Sequence, residues 1–309
     1  FIDTDKFYLW NNDVSMNLVS TRRARDTNAW YHVVWSLDST QSTAADRAKL
    51  YINGVQETVF DTANYPTQNG NFGIFRNGNA FRVGKYINTS GSDYWYDGCL
   101  SHVHFIDGTT YQASTFGSTD ATTGEWKINT SPSVTYGNNG VFILKDDNSN
   151  LDRSGNGLNF TMGGTITKTE DNPSNVFAVM NDLNRENGGA TLSLGNTKLV
   201  TTAQGGGPYT GRTIATLGAT SGKYYWEVKA LTDPQSTYPV VAIVGEDFSV
   251  SDSSAYLTGN NANSKTYITY KIQNGNIDYN FTGSRQGGSY GSNGSTNDII
   301  GVALDLDNG

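Results

Sequence analysis

One cysteine, Cys99, stands in a chain of 309 residues, which rules out an internal disulfide. A large β-sandwich does not need a disulfide to complete its core, so the lone thiol leaves the cellular compartment open. Proline is scarce, at 6, and Glu, a good helix former, supplies only 6 of the 29 acidic side chains. No apolar run approaches the roughly 18 residues of a membrane-spanning helix. Cations are outnumbered 21 to 29, giving a formal net charge of −8. That balance argues against nucleic acid as a partner, because phosphate-backbone binding needs clustered Lys and Arg. The only basic cluster, Arg22-Arg23-Ala24-Arg25, reads as a solvated strand end. There is no initiator Met and no signal peptide at Phe1, and the chain stops in a turn at Asn308-Gly309. Both ends read as cut from something longer.

What the chain does contain is glycine, 35 of them, and aromatics at 12%, a strand-and-turn composition that predicts an all-β protein. Asn-Gly or Asp-Gly pairs at 53–54, 69–70, 77–78, 97–98, 107–108, 156–157, 274–275 and 293–294 are hairpin candidates, since both residues tolerate positive φ. Between them, 48–52, 81–86, 99–106 and 140–144 read as strands, and the one helical candidate is a turn or two near 111–116. Residues 107–175 are rich in Asp, Asn, Ser, Thr and Gly and read as an ordered excursion closing a first domain. A boundary is expected near Glu170-Asp171-Asn172-Pro173. A second strand series follows at 190–194, 197–201, 223–231, 238–246, 265–272, 276–281 and 298–306. The expectation is two tandem antiparallel β-sandwiches, 1–170 and 171–309, the second truncated at its C-terminal end. No fixed-period repeat is present, which disfavours solenoids and propellers.

Several stretches carry a resemblance. Trp30-Tyr31-His32-Val33-Val34 with Leu50-Tyr51-Ile52-Asn53-Gly54-Val55 is similar to a laminin-G-like, concanavalin A-like jelly roll. Ser221-Gly222-Lys223-Tyr224-Tyr225-Trp226-Glu227-Val228 with 299–307 is similar to a SPRY-type sandwich, with Trp226 in its core. The succession His104-Phe105-Ile106-Asp107-Gly108, Ser114-Thr115-Phe116-Gly117, Thr123-Gly124-Glu125-Trp126, Tyr136-Gly137-Asn138-Asn139-Gly140, 152–157 and 171–178 resembles a family of bacteriophage virion proteins in which the two folds follow one another. Arg153 departs from that pattern, where a small residue is common. The resemblance implies a tail-fibre or other virion-surface protein, often a homotrimer, that meets the host envelope.

Four constellations could carry chemistry. Asp146, Asn148, Asn150 and Asp152 alternate as calcium ligands do, matching positions one, three, five and seven of an EF-hand loop. Leu151 and Gly157 break that template where Gly and a bidentate Glu belong, and Asn/Asp turn chemistry explains the same residues without a metal. His102 and His104, two apart on a predicted strand, share a face as a zinc pair would, or simply flank core residues. Asp305 and Asp307 are the nearest approach to the paired carboxylates of β-glucan hydrolases, and they coincide with a strand end. No serine sits in a nucleophile elbow, and Gly205-Gly206-Gly207-Pro208 lacks the Lys of a phosphate loop.

Aromatics in polar turns are the better lead. Tyr94-Trp95-Tyr96 lies between Ser90-Gly91-Ser92-Asp93 and Asp97-Gly98, and sugar rings stack their C–H faces on aromatic planes while Asp reads hydroxyls. The competing reading is that strand alternation turns at least one of the three inward. Tyr256 and Tyr290, in Gly/Ser/Asn-rich loops, are candidates of the same kind. The functional expectation is therefore a non-enzymatic virion-surface binding module for a host surface glycan or receptor, with calcium as its one candidate cofactor. The alternatives are a decoration protein binding other virion proteins, a polysaccharide-degrading enzyme, and a secreted or cell-surface bacterial adhesin.

Overall fold

Strand-forming segments punctuated by positive-φ turns assemble into antiparallel sheets throughout. The computed structural model describes residues 2–73, 81–87, 91–121, 124–145, 150–173, 178–186, 189–201, 211–237, 239–250, 266–281 and 283–308. The chain divides into two compact units, Phe1–Phe177 and Ala178–Gly309. Asp171, at the expected boundary, is buried in the first unit, where its carboxylate accepts the Trp30 indole N–H at 2.7 Å.

In the first unit, β1 (Ile2–Asp3), β2 (Lys6–Asn11), β3 (Met16–Arg23) and β7 (Phe60–Asn64) form one sheet in that order. A second sheet contains β4 (Val33–Leu37), β5 (Ala48–Ile52) and β6 (Val55–Glu57). Met16 and Leu18 of β3 meet Ala48 of β5 and Trp35 and Leu37 of β4; Phe7 of β2 meets Leu50 and Ile52 of β5. One core therefore lies between the two sheets. The N-terminal sheet is absent from the expected strands because its turns lack Asn-Gly: Thr4 (φ 47°) and Asp5 (φ 64°) close β1–β2, and Ser15 (φ 52°) precedes β3. A register shift skips Phe7 in the β2–β3 ladder; its N–H donates to the buried Ser20 hydroxyl, which donates in turn to the Arg22 carbonyl. Arg22, next to last in β3, is exposed, as expected, and pairs with Glu57 at 2.8 Å.

Three two-stranded ladders complete this unit: β8 (Lys85–Ile87) with β9 (Asp93–Trp95), β10 (Val103–Phe105) with β13 (Val141–Ile143), and β11 (Gly117–Thr119) with β12 (Trp126–Ile128). The 81–86 and 99–106 strands are shorter than expected, and Leu100 is exposed. The helical turn is a 3-10 turn at Ala113–Thr115. Asn53 (φ 49°) and Gly54 (φ 78°) close the β5–β6 hairpin as a primed turn. Here glycine is required twice over, because a Cβ at Gly54 would fall 2.1 Å from the Trp126 ring.

The second unit holds β14 (Met180–Arg185) with β17 (Thr213–Ala215), and β15 (Ala190–Ser193) with β16 (Lys198–Thr201). β18 (Lys223–Lys229) pairs with β23 (Ile299–Asp305), while β19 (Val240–Val244), β20 (Tyr267–Lys271), β21 (Asn276–Asn280) and β22 (Gln286–Ser289) form a four-stranded sheet. The 274–275 turn closes β20–β21 with Gly275 at φ 65°. Trp226 is half-buried opposite Val302. The 77–78 turn and 205–208 lie outside the described residues.

The core predicts a sharp contrast. Leu50→Ala, at a fully buried position, should cost about 3 kcal/mol of unfolding free energy in a urea titration. Val55→Ala, on the exposed strand of the same hairpin, should change it by no more than about 0.5 kcal/mol.

Candidate functional site

The aromatic stretch forms one arm of the β8–β9 hairpin, whose register pairs Lys85 with Trp95, Tyr86 with Tyr94 and Ile87 with Asp93. Alternation sends Tyr86 and Tyr94 to one face and Lys85 and Trp95 to the other. The Tyr86 and Tyr94 rings lie 6.0 Å apart at 32°, an aromatic cross-strand pair. On the opposite face the Lys85 ammonium sits 4.3 Å from the Trp95 ring centroid and 2.8 Å from Asp93. The pairing continues past β9, with Tyr96 N–H donating to the Gly84 carbonyl at 2.9 Å.

None of the three consecutive aromatics turns inward: Tyr94 is 56%, Trp95 62% and Tyr96 44% exposed. Asp97 beside them is also exposed. Burial, with Cys99 and Asp97 nearby, raises the Tyr96 hydroxyl above its ordinary value, so it stays a protonated donor. The structure thus brings Tyr94, Trp95, Tyr96 and Asp97 together and adds Tyr86 and Lys85, which the sequence reading passed over. The signal for them was the 81–86 strand itself, once read in register across the hairpin. Tyr290 stands in the second unit, highly exposed and edge-on to Tyr270 at 6.4 Å. Tyr256 lies outside the described residues.

Of the calcium candidates, Asp146 and Asn148 lie outside the described residues. Asp152 works as a staple: its carboxylate accepts from Phe142 N–H (2.9 Å), Ser154 N–H (2.9 Å), Ser154 hydroxyl (2.7 Å) and Leu158 N–H (3.0 Å). Burial pushes its carboxyl up, but these hydrogen bonds outweigh that and hold it below the usual range. Asn150 is bonded to Phe160 through both its side-chain amide and its carbonyl. Both residues therefore build the turn over β13 through their own polar atoms.

The histidines are packing groups. His104 stacks on Phe142 with centroids 3.9 Å apart, and its Nδ1 is 2.9 Å from the Tyr136 hydroxyl. His102 precedes β10 at φ 49°, its ring also beside Phe142 and its Nδ1 2.7 Å from the Ser101 hydroxyl. His32 accepts the Trp126 indole N–H at 3.0 Å, which places its own proton on Nε2. Among the described residues no group of three His, Cys, Asp or Glu is arranged to hold a metal. Asp305 is held below its usual range by Lys223 (2.6 Å) and Asn308, and Asp307 accepts Gly222 N–H at 2.7 Å. A carboxyl held ionised is poorly suited to protonating a leaving group.

The chain matches no known protein family, curated protein or solved structure. A functional reading therefore rests on the chain's own geometry.

Burial pushes His32 down to about 4, and burial, with His102, His32 and Lys145, pushes His104 down to about 3. The unfolded chain takes up these protons at the ordinary 6.5, so the stabilisation is complete above that value and is lost as pH falls towards 4 and 3. Urea midpoints should accordingly drop between pH 6.5 and about 5, above the carboxylate range, and His104→Phe should flatten that drop. Asp152→Ala should lower stability by about 2 kcal/mol in EDTA, because its four donors lose their acceptor whether or not calcium is present.

Proposed function

We propose that this chain is a non-enzymatic, virion-surface binding module of the tail-fibre type that recognises host surface carbohydrate through the β8–β9 hairpin. The observation that carries the reading is the solvent exposure of Tyr94, Trp95 and Tyr96 in succession, beside the exposed carboxylate of Asp97. Water disfavours such a surface, and rimmed apolar patches of this kind mark sites of interaction. Tyr86 and Tyr94 offer a rigid pair of rings to a sugar face, and Asp97 an acceptor for hydroxyls. Rings already held by the hairpin lose little freedom on binding.

In this reading the first unit is a laminin-G-like jelly roll and the second a SPRY-like sandwich. The shared core of the two N-terminal sheets supports the first assignment, and the antiparallel pairing of β18 with β23 supports the second. Each hairpin would bind weakly, and repetition on a homotrimer would raise the avidity.

A second reading is favoured by one face of β18–β23. Tyr225 and Ile299 are exposed there, with the Tyr225 ring lying over Gly301 and Lys223, Glu227 and Lys229 on the same side. Such a face suits docking against other virion proteins.

The test is a glycan array probed with the assembled protein and with Tyr94→Ala. Host-surface glycans should be retained by the parent chain and weakened about tenfold or more by the substitution, the order of one stacking contact, with the melting temperature unchanged. Equal binding by the two proteins would remove the hairpin from the function.

A further inference from the structure

Asn-Gly and Asp-Gly steps recur in the turns of this chain, and each carries a latent reaction. The glycine nitrogen can attack the side-chain carbonyl carbon of the residue before it, because glycine has no Cβ to hinder the approach. Groups joined through a single residue meet at high effective concentration, so the fold sets the rate by leaving them free or tying them down. Among the described residues nearly every such step is tied. Asn53 Oδ1 accepts the His32 N–H at 2.8 Å, and Asn274 Oδ1 accepts the Asn276 N–H at 3.1 Å. Asn156 Nδ2 donates to the Gly137 and Gly140 carbonyls. At 69–70 and 293–294 the glycine nitrogen itself is engaged, donating to the Thr67 carbonyl at 3.1 Å and the Ile272 carbonyl at 2.8 Å.

Two of the steps are Asp-Gly, at 97–98 and 107–108, and their surroundings differ. Asp107 is fixed on three sides. Its carboxylate accepts from Asn139 Nδ2 at 2.9 Å, and its N–H donates to the Tyr136 carbonyl at 2.9 Å. Its own carbonyl packs against Gly137, where a Cβ would lie 2.2 Å from that oxygen. Asp97 and Gly98 are both exposed. Among the described residues, neither the Asp97 carboxylate nor the Gly98 N–H makes a hydrogen bond or an ion pair. Glycine is also required there, because a Cβ at Gly98 would come within 2.9 Å of the Tyr96 ring. The residue that makes the step reactive is therefore the one the hairpin needs.

We propose that Asp97-Gly98 is a self-modification site, where the folded chain converts Asp97 into isoaspartate. The Gly98 nitrogen attacks Cγ of the protonated Asp97 carboxyl, forming a C–N bond and closing a five-membered succinimide. The N–H proton leaves with the carboxyl hydroxyl as water. Solvent water then reopens the ring. Attack at the former main-chain carbonyl carbon breaks its bond to nitrogen and leaves the chain running through the side-chain carbon; attack at Cγ restores Asp97. Mass and charge are unchanged, and one methylene has entered the backbone between Tyr96 and Gly98. The Tyr96 hydroxyl spans this step to reach the Cys99 carbonyl at 3.4 Å, so the added length falls inside a closed turn beside the exposed rings. The site shares the hairpin assigned to carbohydrate, but the reaction needs no ligand and does not depend on that reading.

The experiment incubates the whole folded chain in mildly acidic buffer, with a parallel sample in urea, and maps isoaspartate by electron-transfer fragmentation of its peptides. In the folded chain isoaspartate should build up at Asp97 about tenfold or more faster than at Asp107, the scale set by the hydrogen bonds that must open first. In urea, where those ties are gone, the two steps should react at similar rates. Asp97→Glu, one methylene too long for the five-membered ring, should give no isomer at that position and leave the melting temperature unchanged. Equal folded-state rates at Asp97 and Asp107, the same ratio in urea as in the folded chain, or no isoaspartate at Asp97 would each overturn the proposal.

Discussion

The first unit is held in register by one indole. Trp126, on a short hairpin far along the chain, lies across the β5–β6 turn where Gly54 leaves no side chain, and against Gly117 of its own hairpin. Its N–H is anchored on His32, just ahead of β4, and the two rings stack at 5.8 Å. A Cβ at either glycine would strike the ring. The sheet of β4–β6, its Asn53-Gly54 turn and the β11–β12 ladder are therefore constrained together. Neutral histidine is part of that constraint, since a charged His32 could not accept the indole proton.

Much of the strand order was legible. Asn53-Gly54 announced its hairpin because both residues accept positive φ cheaply, and the 190–193, 267–271 and 299–305 strands fell where apolar and β-branched residues alternate. The N-terminal sheet was not legible, because Thr4, Asp5 and Ser15 adopt positive φ without the glycine that advertises it. Of the hairpin site, Tyr94–Asp97 could be read from composition alone. Whether a ring would turn inward could not, since that depends on what lies behind a three-residue strand. Tyr86 and Lys85 required the register.

The burial of Thr269, Asp278 and Asn280 on β20 and β21 was illegible for a different reason. Alternation reveals that 267–280 has a polar and an apolar side, and the general rule then assigns the apolar side to the core. Tertiary structure reverses that assignment. Local rules fail here while the strands themselves form as expected.

Cys99 is a free thiol, partly exposed, and its carbonyl receives the Tyr96 hydroxyl at 3.4 Å. Because it is the chain's one cysteine, a maleimide dye or spin label would attach at a single place, on the flank of the aromatic hairpin. The fold thus supplies a reporter position whose signal tracks the environment of those rings, without any cysteine having to be engineered in or out.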